Sequence, residues 1–290
     1  MSQQPTPPPA PDVTAPVRRL DAAELPACLS LSKDREWPHE DRKWALLFEV
    51  GEVYGIDAPD GGLAGVVVAT RYGTGVTAIS MMLVAERFGR RGLGRRLMNH
   101  ALEHCRTDSF SLTATDDGRP LYERVGFRTT GLCFKYTGVY RPAPQEPTGP
   151  ATRPARAGDL PAVLALDAEV FGAPRDQLLR RLQTFGEDFR VVDGPGGIAG
   201  FGGCWRNVDN TVIGPVVAQD TAVATALIAD LAAGAGGECR LDLEDRKPQL
   251  LDWAAAHGFT AGSTTAVMVH GADLPGDRSR LFTPVMVALG

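Results

Sequence analysis

The stretch Val84-Ala-Glu-Arg-Phe-Gly-Arg-Arg-Gly-Leu-Gly-Arg-Arg-Leu-Met98 decides how this chain is read. An apolar run, Ile79 to Val84, leads into a loop carrying Gly89, Gly92 and Gly94. Beyond it Leu93, Leu97, Ala101 and Cys105 recur every four residues, which predicts an amphipathic helix from Gly92 to Cys105. Glycines let backbone N–H groups close on a ligand. The first turn of a helix adds unsatisfied donors and a positive dipole end. Together they predict an anion site, most naturally for phosphate. Arg87, Arg90, Arg91, Arg95 and Arg96 crowd the same segment. Cations there oppose the helix dipole, so helix stability alone would not select them. Two other phosphate-binding patterns fail on spacing: the third glycine of a dinucleotide fingerprint is missing after Gly92-Leu-Gly94, and no lysine completes a P-loop. Aromatic interleaving is limited to Phe88, which argues against a nucleic-acid patch.

Working outward, the chain contains itself twice. Glu24-Leu-Pro-Ala-Cys-Leu-Ser-Leu31 returns as Asp159-Leu-Pro-Ala-Val-Leu-Ala-Leu166, and Gly61-Gly-Leu-Ala-Gly65 returns as Gly196-Gly-Ile-Ala-Gly200. Gly126-Phe127 returns as Gly258-Phe259. A period this long is a duplicated domain rather than a solenoid repeat. Between the copies runs Tyr140-Arg-Pro-Ala-Pro-Gln-Glu-Pro-Thr-Gly-Pro150, too rich in proline for a helix or a central strand. The expected layout is a disordered proline-rich tail over 1–16, a first domain over 17–140, a linker over 141–152 and a second domain over 153–290.

In the first copy, helices are expected over Leu20 to Leu31 and Glu40 to Phe48, then strands over Glu52 to Ile56, Leu63 to Thr70 and Val76 to Val84. After the Gly92 to Cys105 helix come a strand, Phe110 to Thr115, and a short helix, Pro120 to Val125, ended by Gly126. Two strands, Phe127 to Leu132 and Phe134 to Val139, close the copy. The order predicts an α/β (α+β) domain with a mixed, mostly antiparallel sheet flanked by helices.

Gly89-Arg90-Arg91-Gly92-Leu93-Gly94, with Tyr122, Gly126 and Phe127 downstream, resembles the GNAT acetyltransferase superfamily, and the duplication resembles its members built of two fused domains. Gly89 departs from the Arg or Gln usual in that family. The resemblance implies acetyl-CoA as co-substrate, with Leu83, Val84, Gly89, Arg90, Arg91, Gly92, Leu93, Gly94 and Arg95 as its binding residues. It implies that a backbone N–H near Leu83 or Val84 polarises the thioester carbonyl, and that the strand carrying them splays from Phe110 to Thr115. It places Tyr122 as the general acid for the leaving thiolate, where packing beside Phe127 is the competing role. The implied activity is direct acetyl transfer to a primary amine of an unidentified acceptor, catalysed by the first domain; a small-molecule amine is expected, with a metabolite, an antibiotic, an amino acid and a protein N-terminus all open. The alternative is an inactive acyl-CoA-binding, sensor or interaction protein. The general base is not identified: Glu36, Trp37, His39, Ser80, Glu86, Asp116 and Asp117 all stand near the expected site, and each has an ordinary structural role open to it.

The second copy lacks the cradle. Ala218-Gln-Asp-Thr-Ala-Val-Ala-Thr-Ala-Leu-Ile228 falls under the loop with no glycine and no arginine, and Ala254 falls under Tyr122. It is expected to keep the fold, stand in for a dimer partner and wall the acceptor site.

Composition agrees with this. The 290 residues are 43% hydrophobic and 22% charged, with a net charge of -5, which argues against nucleic acid as a partner. Residues 141–290 carry all of that excess, 13 basic against 18 acidic. Five cysteines, none in a CxxC pair, point to reduced thiols in a cytoplasmic protein with no metal site. No apolar run is long enough to span a membrane. A monomer acting as a pseudo-dimer, or a homodimer, is expected.

Overall fold

The computed structural model describes residues 12–142 and 149–290. Most of the expected proline-rich tail (1–11) and part of the expected linker (143–148) lie outside the described residues. The chain separates into two compact units. One runs to Val68 and includes Met81–His104; the other is Ala69–Ser80 with Cys105–Gly290.

The first unit holds β1 (Val17–Arg19), α1 (Leu25–Asp34), α2 (Asp41–Val50) and β2 (Glu52–Asp57). It also holds the first part of β3 (Leu63–Tyr72), the last part of β4 (Val76–Val84) and nearly all of α3 (Leu93–Cys105). Its strand order is β1-β2-β3-β4. α1 opens with proline in its first turn, where the missing N–H would be unsatisfied in any case. α1 and α2 are tied by Trp44, fully buried, whose indole N–H donates to the Ser32 hydroxyl at 3.1 Å. α3 buries Leu93, Leu97 and Ala101, the stripe its periodicity predicts.

The second unit begins with the β3–β4 turn and adds β5 (Ser109–Ala114), α4 (Arg119–Arg124) and β6 (Arg128–Val139). The second copy follows: β7 (Thr152–Pro154), α5 (Leu160–Phe171), α6 (Asp176–Phe185), β8 (Asp188–Gly194), β9 (Gly197–Arg206) and β10 (Thr211–Ala218). Then come α7 (Thr221–Ala235), β11 (Glu238–Glu244), α8 (Pro248–Ala256), β12 (Phe259–Gly271) and β13 (Leu281–Thr283). The strand order is β4-β5-β12-β6-β11-β10-β9-β8-β7, with β13 on β10. β4–β5 and β10–β11 are parallel and the other registered pairs antiparallel, so the fold is mixed α/β and mostly antiparallel.

In their α-helices and strands, apart from β13, the two copies repeat element for element. Arg18 bridges Glu24 (2.6 Å) and Asp57 (2.7 Å), and Arg153 bridges Asp159 (2.6 Å) and Asp193 (2.7 Å) in the same way.

The copies exchange partners at their last strands. β12, from the second copy, lies between β5 and β6 of the first, running from Ala266↔Ala114 to Gly271↔Ser109 along β5. β6 in turn pairs β11 from Val139↔Glu238 to Cys133↔Glu244. The two strands expected at the end of the first copy are one strand, because β6 is held along most of its length by β12, with register shifts that absorb the irregularity at its middle.

In the second copy, α7 and α8 cover the apolar face of β11, burying Cys239, Leu241 and Leu243 against Leu227, Ile228 and Leu231. A buried ion pair anchors α5: Arg175 donates to both Asp167 oxygens at 2.9 and 2.6 Å and to the backbone oxygen of Gly290 at 2.6 Å.

Candidate functional site

Met81 interrupts β4 with φ +48°, a conformation uncommon for a non-glycine residue in a strand and typical of a local kink. The register between β4 and β5 runs only from Val76↔Ser109 to Ala78↔Ser111. After β4 a tight 3-10 turn, Glu86–Phe88, buries Phe88, and Gly89 N–H closes it on the Glu86 carbonyl at 3.0 Å. Arg90 (φ +61°) and Gly92 (φ +78°) then turn the chain left-handed into α3. The first N–H to close a helical turn here is that of Arg96, on the Gly92 carbonyl at 3.1 Å. The N–H groups of Leu93, Gly94 and Arg95 are therefore first-turn donors without an intrahelical acceptor. A Cβ on Gly92 would project into open space. Open donors, left-handed backbone and room at Gly92 make a shape and polarity that fit a pyrophosphate.

The five arginines divide. Arg87 pairs with Asp60 at 3.0 Å and lies over the Phe88 ring. Arg96 donates to the carbonyls of Val13 (2.9 Å) and Ala15 (2.5 Å). Arg91 lies 3.8 Å from Asp12. Arg90 and Arg95 are exposed, and no hydrogen bond or ion pair holds either of them among the described residues. Part of the basic cluster is thus structural, and two cations remain for an anion.

Tyr122 sits on α4 in the second unit. Its ring is buried edge-on to Phe127, with centroids 6.1 Å apart. Burial pushes its hydroxyl up to about 12, so it stays protonated at neutral pH and can donate. Packing and proton donation coexist at this residue.

The candidate bases are dispersed. Glu36, Trp37, His39, Glu86, Asp116 and Asp117 are all exposed. Neither Asp116 nor Asp117 caps α4; Gly118 holds that position without a side-chain bond. Ser80 has a buried Oγ without a hydrogen-bond partner.

In the second copy the strand meets its helix directly. Asp220 caps α7, its carboxylate accepting the N–H of Val223 at 2.9 Å. The chain's own anion occupies the place where the first copy's donors have no acceptor among the described residues. Ala254, in the position of Tyr122, is fully buried and carries no hydroxyl.

The periodicity of the loop and helix says nothing about a cleft within the second unit. It is lined by Ser111, Thr113, Cys133, Glu244, Arg278 and Val287, among others, from both copies. Its signal was present: Cys239-Arg-Leu-Asp-Leu-Glu244 alternates apolar and charged residues. The apolar set faces α7 and α8, leaving Arg240, Asp242 and Glu244 on the other side, though Asp242 is only 2% exposed. Cys133 is no nucleophile here, because burial and the Asp242 and Glu244 carboxylates push its thiol well above the usual range. Burial likewise raises Cys28, Cys204 and Cys239. No group of three or more His, Cys, Asp or Glu among the described residues could hold a metal ion. No described helix is long and apolar enough to cross a membrane.

A kinked strand, a left-handed arginine-rich turn and a helix that follows it, in a mixed sheet built twice over, are the features expected of an acetyltransferase. Residues 53–140 match an acetyltransferase (GNAT) domain family and residues 163–283 a second family of the same description, so the chain belongs to the GNAT acetyltransferases and carries two such domains in tandem. The chain is similar to the uncharacterized N-acetyltransferase YitH of Bacillus subtilis (strain 168), 26% identical, covering 96% of this chain and all of the relative. It is also 24% identical to the holothin acyltransferase of Pseudoalteromonas sp. (strain SANK 73390), over 72% of this chain and 71% of that protein. Among solved structures, one from Pyrococcus horikoshii assigned as an acetyltransferase superposes with a TM-score of 0.79 at 19% identity, over 94% of this chain and 95% of that one. A tandem GNAT protein from the clavulanic acid biosynthesis pathway gives 0.63 at 15% identity, over 87% and 97%.

Proposed function

We propose that the chain is an acetyl-CoA-dependent N-acetyltransferase, with the first copy holding the co-substrate and transferring its acetyl group directly to the amine of a small molecule. The observation that carries this reading is the loop–helix junction at Arg90–Arg95, whose open N–H donors and free cations suit a pyrophosphate and whose counterpart in the second copy is capped by Asp220. Acetyl-CoA, when bound, supplies an activated thioester. Arg90, Arg91, Gly92, Leu93, Gly94 and Arg95 bind its phosphates, and Gly89, whose N–H is held by the Glu86 carbonyl, shapes the turn that presents them. A backbone N–H at Leu83 or Val84 donates to the thioester carbonyl and stabilises the charge that grows there. The Tyr122 hydroxyl gives its proton to the departing sulfur. The acceptor reacts as the neutral amine: its nitrogen bonds the acetyl carbon as the carbon–sulfur bond breaks, and the proton it loses passes to solvent, from which Tyr122 regains the one it gave. Four buried thiols held protonated support transfer without a covalent acyl-enzyme.

The test is isothermal titration with acetyl-CoA and with dephospho-CoA, followed by coenzyme A release across a panel of primary amines. One site per chain and amine-dependent thiol release are expected. Binding with no release from any amine would instead identify an acyl-CoA-binding protein without transfer activity.

A further inference from the structure

The chain has four lysines, Lys33, Lys43, Lys135 and Lys247. Two of them are buried to nearly the same degree, Lys43 at 8% exposure and Lys247 at 9%. A buried ammonium is costly unless a carboxylate compensates it. Lys43 meets that demand: its Nζ donates to a Glu40 carboxylate oxygen at 2.7 Å. Lys247 does not. Its Nζ donates to the Ser279 carbonyl and stands over the Phe282 ring, 4.0 Å from the centroid, and no ion pair holds it among the described residues. Glu244 and Asp277, whose charges reach it, and Asp220, on the wall of the same hollow, are engaged elsewhere. Arg246 holds both Glu244 oxygens, at 2.9 and 3.0 Å. Asp220 accepts the Val223 N–H at 2.9 Å and the Gln219 amide at 3.2 Å. Asp277 takes the backbone N–H and the hydroxyl of Ser279.

Lys247 lines a hollow of about 450 Å³ that lies wholly within the second unit, between the first turns of α7 and α8. Gln219, Thr221, Gln249 and Phe282 share its wall, and Arg246 adds a second cation. That volume admits a small metabolite. Arg246 keeps its proton at any physiological pH, whereas a lysine can lose its own. Burial first, and then Arg246, against the opposing pull of Glu244 and Asp277, brings the Lys247 ammonium down to about 8. The neutral amine, the form with a nucleophilic lone pair, is therefore well populated in mildly alkaline solution. Desolvation beside another cation is a general way of activating a lysine as a nucleophile.

We propose that Lys247 is an acylation site, taking the acyl group of an acyl phosphate or acyl thioester whose reactive end enters this hollow. The Nζ lone pair bonds the acyl carbon. The carbon–oxygen bond to phosphate, or the carbon–sulfur bond of a thioester, breaks with its electron pair leaving on the phosphate or thiolate, and the proton that Nζ loses passes to solvent. The product amide keeps one N–H for the Ser279 carbonyl and has no charge to bury, so the modified side chain suits its surroundings better than the ammonium does. The acyl group passes directly from the donor to this amine, so the inference goes beyond the acetyltransferase reading and does not rest on it.

The experiment incubates the whole, unaltered protein at pH 8 with acetyl phosphate, and separately with acetyl-CoA, and follows acetylation of each lysine by peptide mass spectrometry. In the folded protein Lys247 should react at least tenfold faster than Lys33, Lys43 and Lys135. In urea-unfolded protein the four rates should agree within a few-fold. A Lys247 rate no greater than that of the other three overturns the inference. So does a preference that survives in urea, which would belong to the neighbouring residues Arg246 and Pro248 rather than to the hollow. Modification by acetyl phosphate alone assigns the site to acyl phosphates, by acetyl-CoA alone to thioesters, and by both to either donor; each of these upholds the inference. Failure at Lys247 leaves the acetyltransferase reading intact. Acetylation by acetyl phosphate needs no coenzyme A site, so it would stand even if that reading fell.

Discussion

Asp220 accepts the backbone N–H of Val223 at 2.9 Å, and this one bond separates the two copies chemically. It satisfies a donor of α7 with the chain's own carboxylate, where the first-turn donors of α3 have no acceptor among the described residues. Coenzyme A is therefore expected to bind with a stoichiometry of one per chain. Asp220→Ala should cost about 1 kcal/mol of stability, the usual value of an N-cap, without creating a second site, since no glycine or arginine of the cradle stands there. Calorimetric stoichiometry and urea unfolding read the two effects; two equivalents of coenzyme A bound to the unaltered chain would refute the assignment.

Gly92 adopts φ +78° at the turn into α3 with open space beside it. Gly92→Val must strain the backbone and place methyl groups against the approaching phosphates. Acetyl-CoA affinity should fall by at least tenfold, while the far-ultraviolet circular dichroism stays that of the parent. Unchanged affinity in a folded Gly92→Val protein would remove the pyrophosphate from this turn.

Tyr122→Phe should lower kcat about tenfold or more, in the range general acid catalysis contributes, and leave acetyl-CoA binding alone. The hydroxyl also has a stability signature. Its folded-state value of about 12 lies above the ordinary value of about 10, so the folded state favours the neutral form. That contribution is intact below pH about 10 and is lost as pH rises through about 12. Thermal unfolding followed from pH 8 upward should show a steeper alkaline loss in the parent than in Tyr122→Phe.

Asp167 and Arg175 form an ion pair with both side chains fully buried. Asp167→Asn leaves the guanidinium uncompensated and should destabilise by about 3–5 kcal/mol. Replacing both with apolar residues of similar volume should cost much less. Denaturation of the three variants tests the ordering; equal losses would mean that packing, not charge, dominates.

The loop, its helix and the duplication were legible because each rests on local pattern: glycines where the backbone turns left-handed at Gly92, a four-residue apolar repeat in α3, and proline-marked repeats at α1 and α5. β6 reads as two strands because Gly131, a glycine inside a strand, marks a break when the neighbouring strands are unknown. Paired to β12 and β11, it continues without a turn. Glu244 and Arg278 were only partly legible as the lining of one cleft: the alternation around Glu244 marks a polar face of β11, but not what meets it. Their cleft is assembled by pairings between segments more than a hundred residues apart, Cys133 with Glu244 and Thr113 with Val267, and no local pattern encodes such a meeting. The arginine cluster was over-read: Arg87 and Arg96 spend their charge and donors on Asp60 and on the carbonyls of Val13 and Ala15, where nothing in the spacing distinguishes them from Arg90 and Arg95.

The position of β12 bears on the history of the duplication. A tandem repeat usually frees one copy to be deleted once its activity is gone. Here the second copy contributes the strand that covers the edge of β5, and the first contributes β6 in return. Removing residues 153–290 would bare one edge of β5 and both edges of β6 and invite pairing with other chains. The second copy was therefore free to lose its phosphate turn and its tyrosine, but not to disappear, and selection on it acts through the fold of its neighbour.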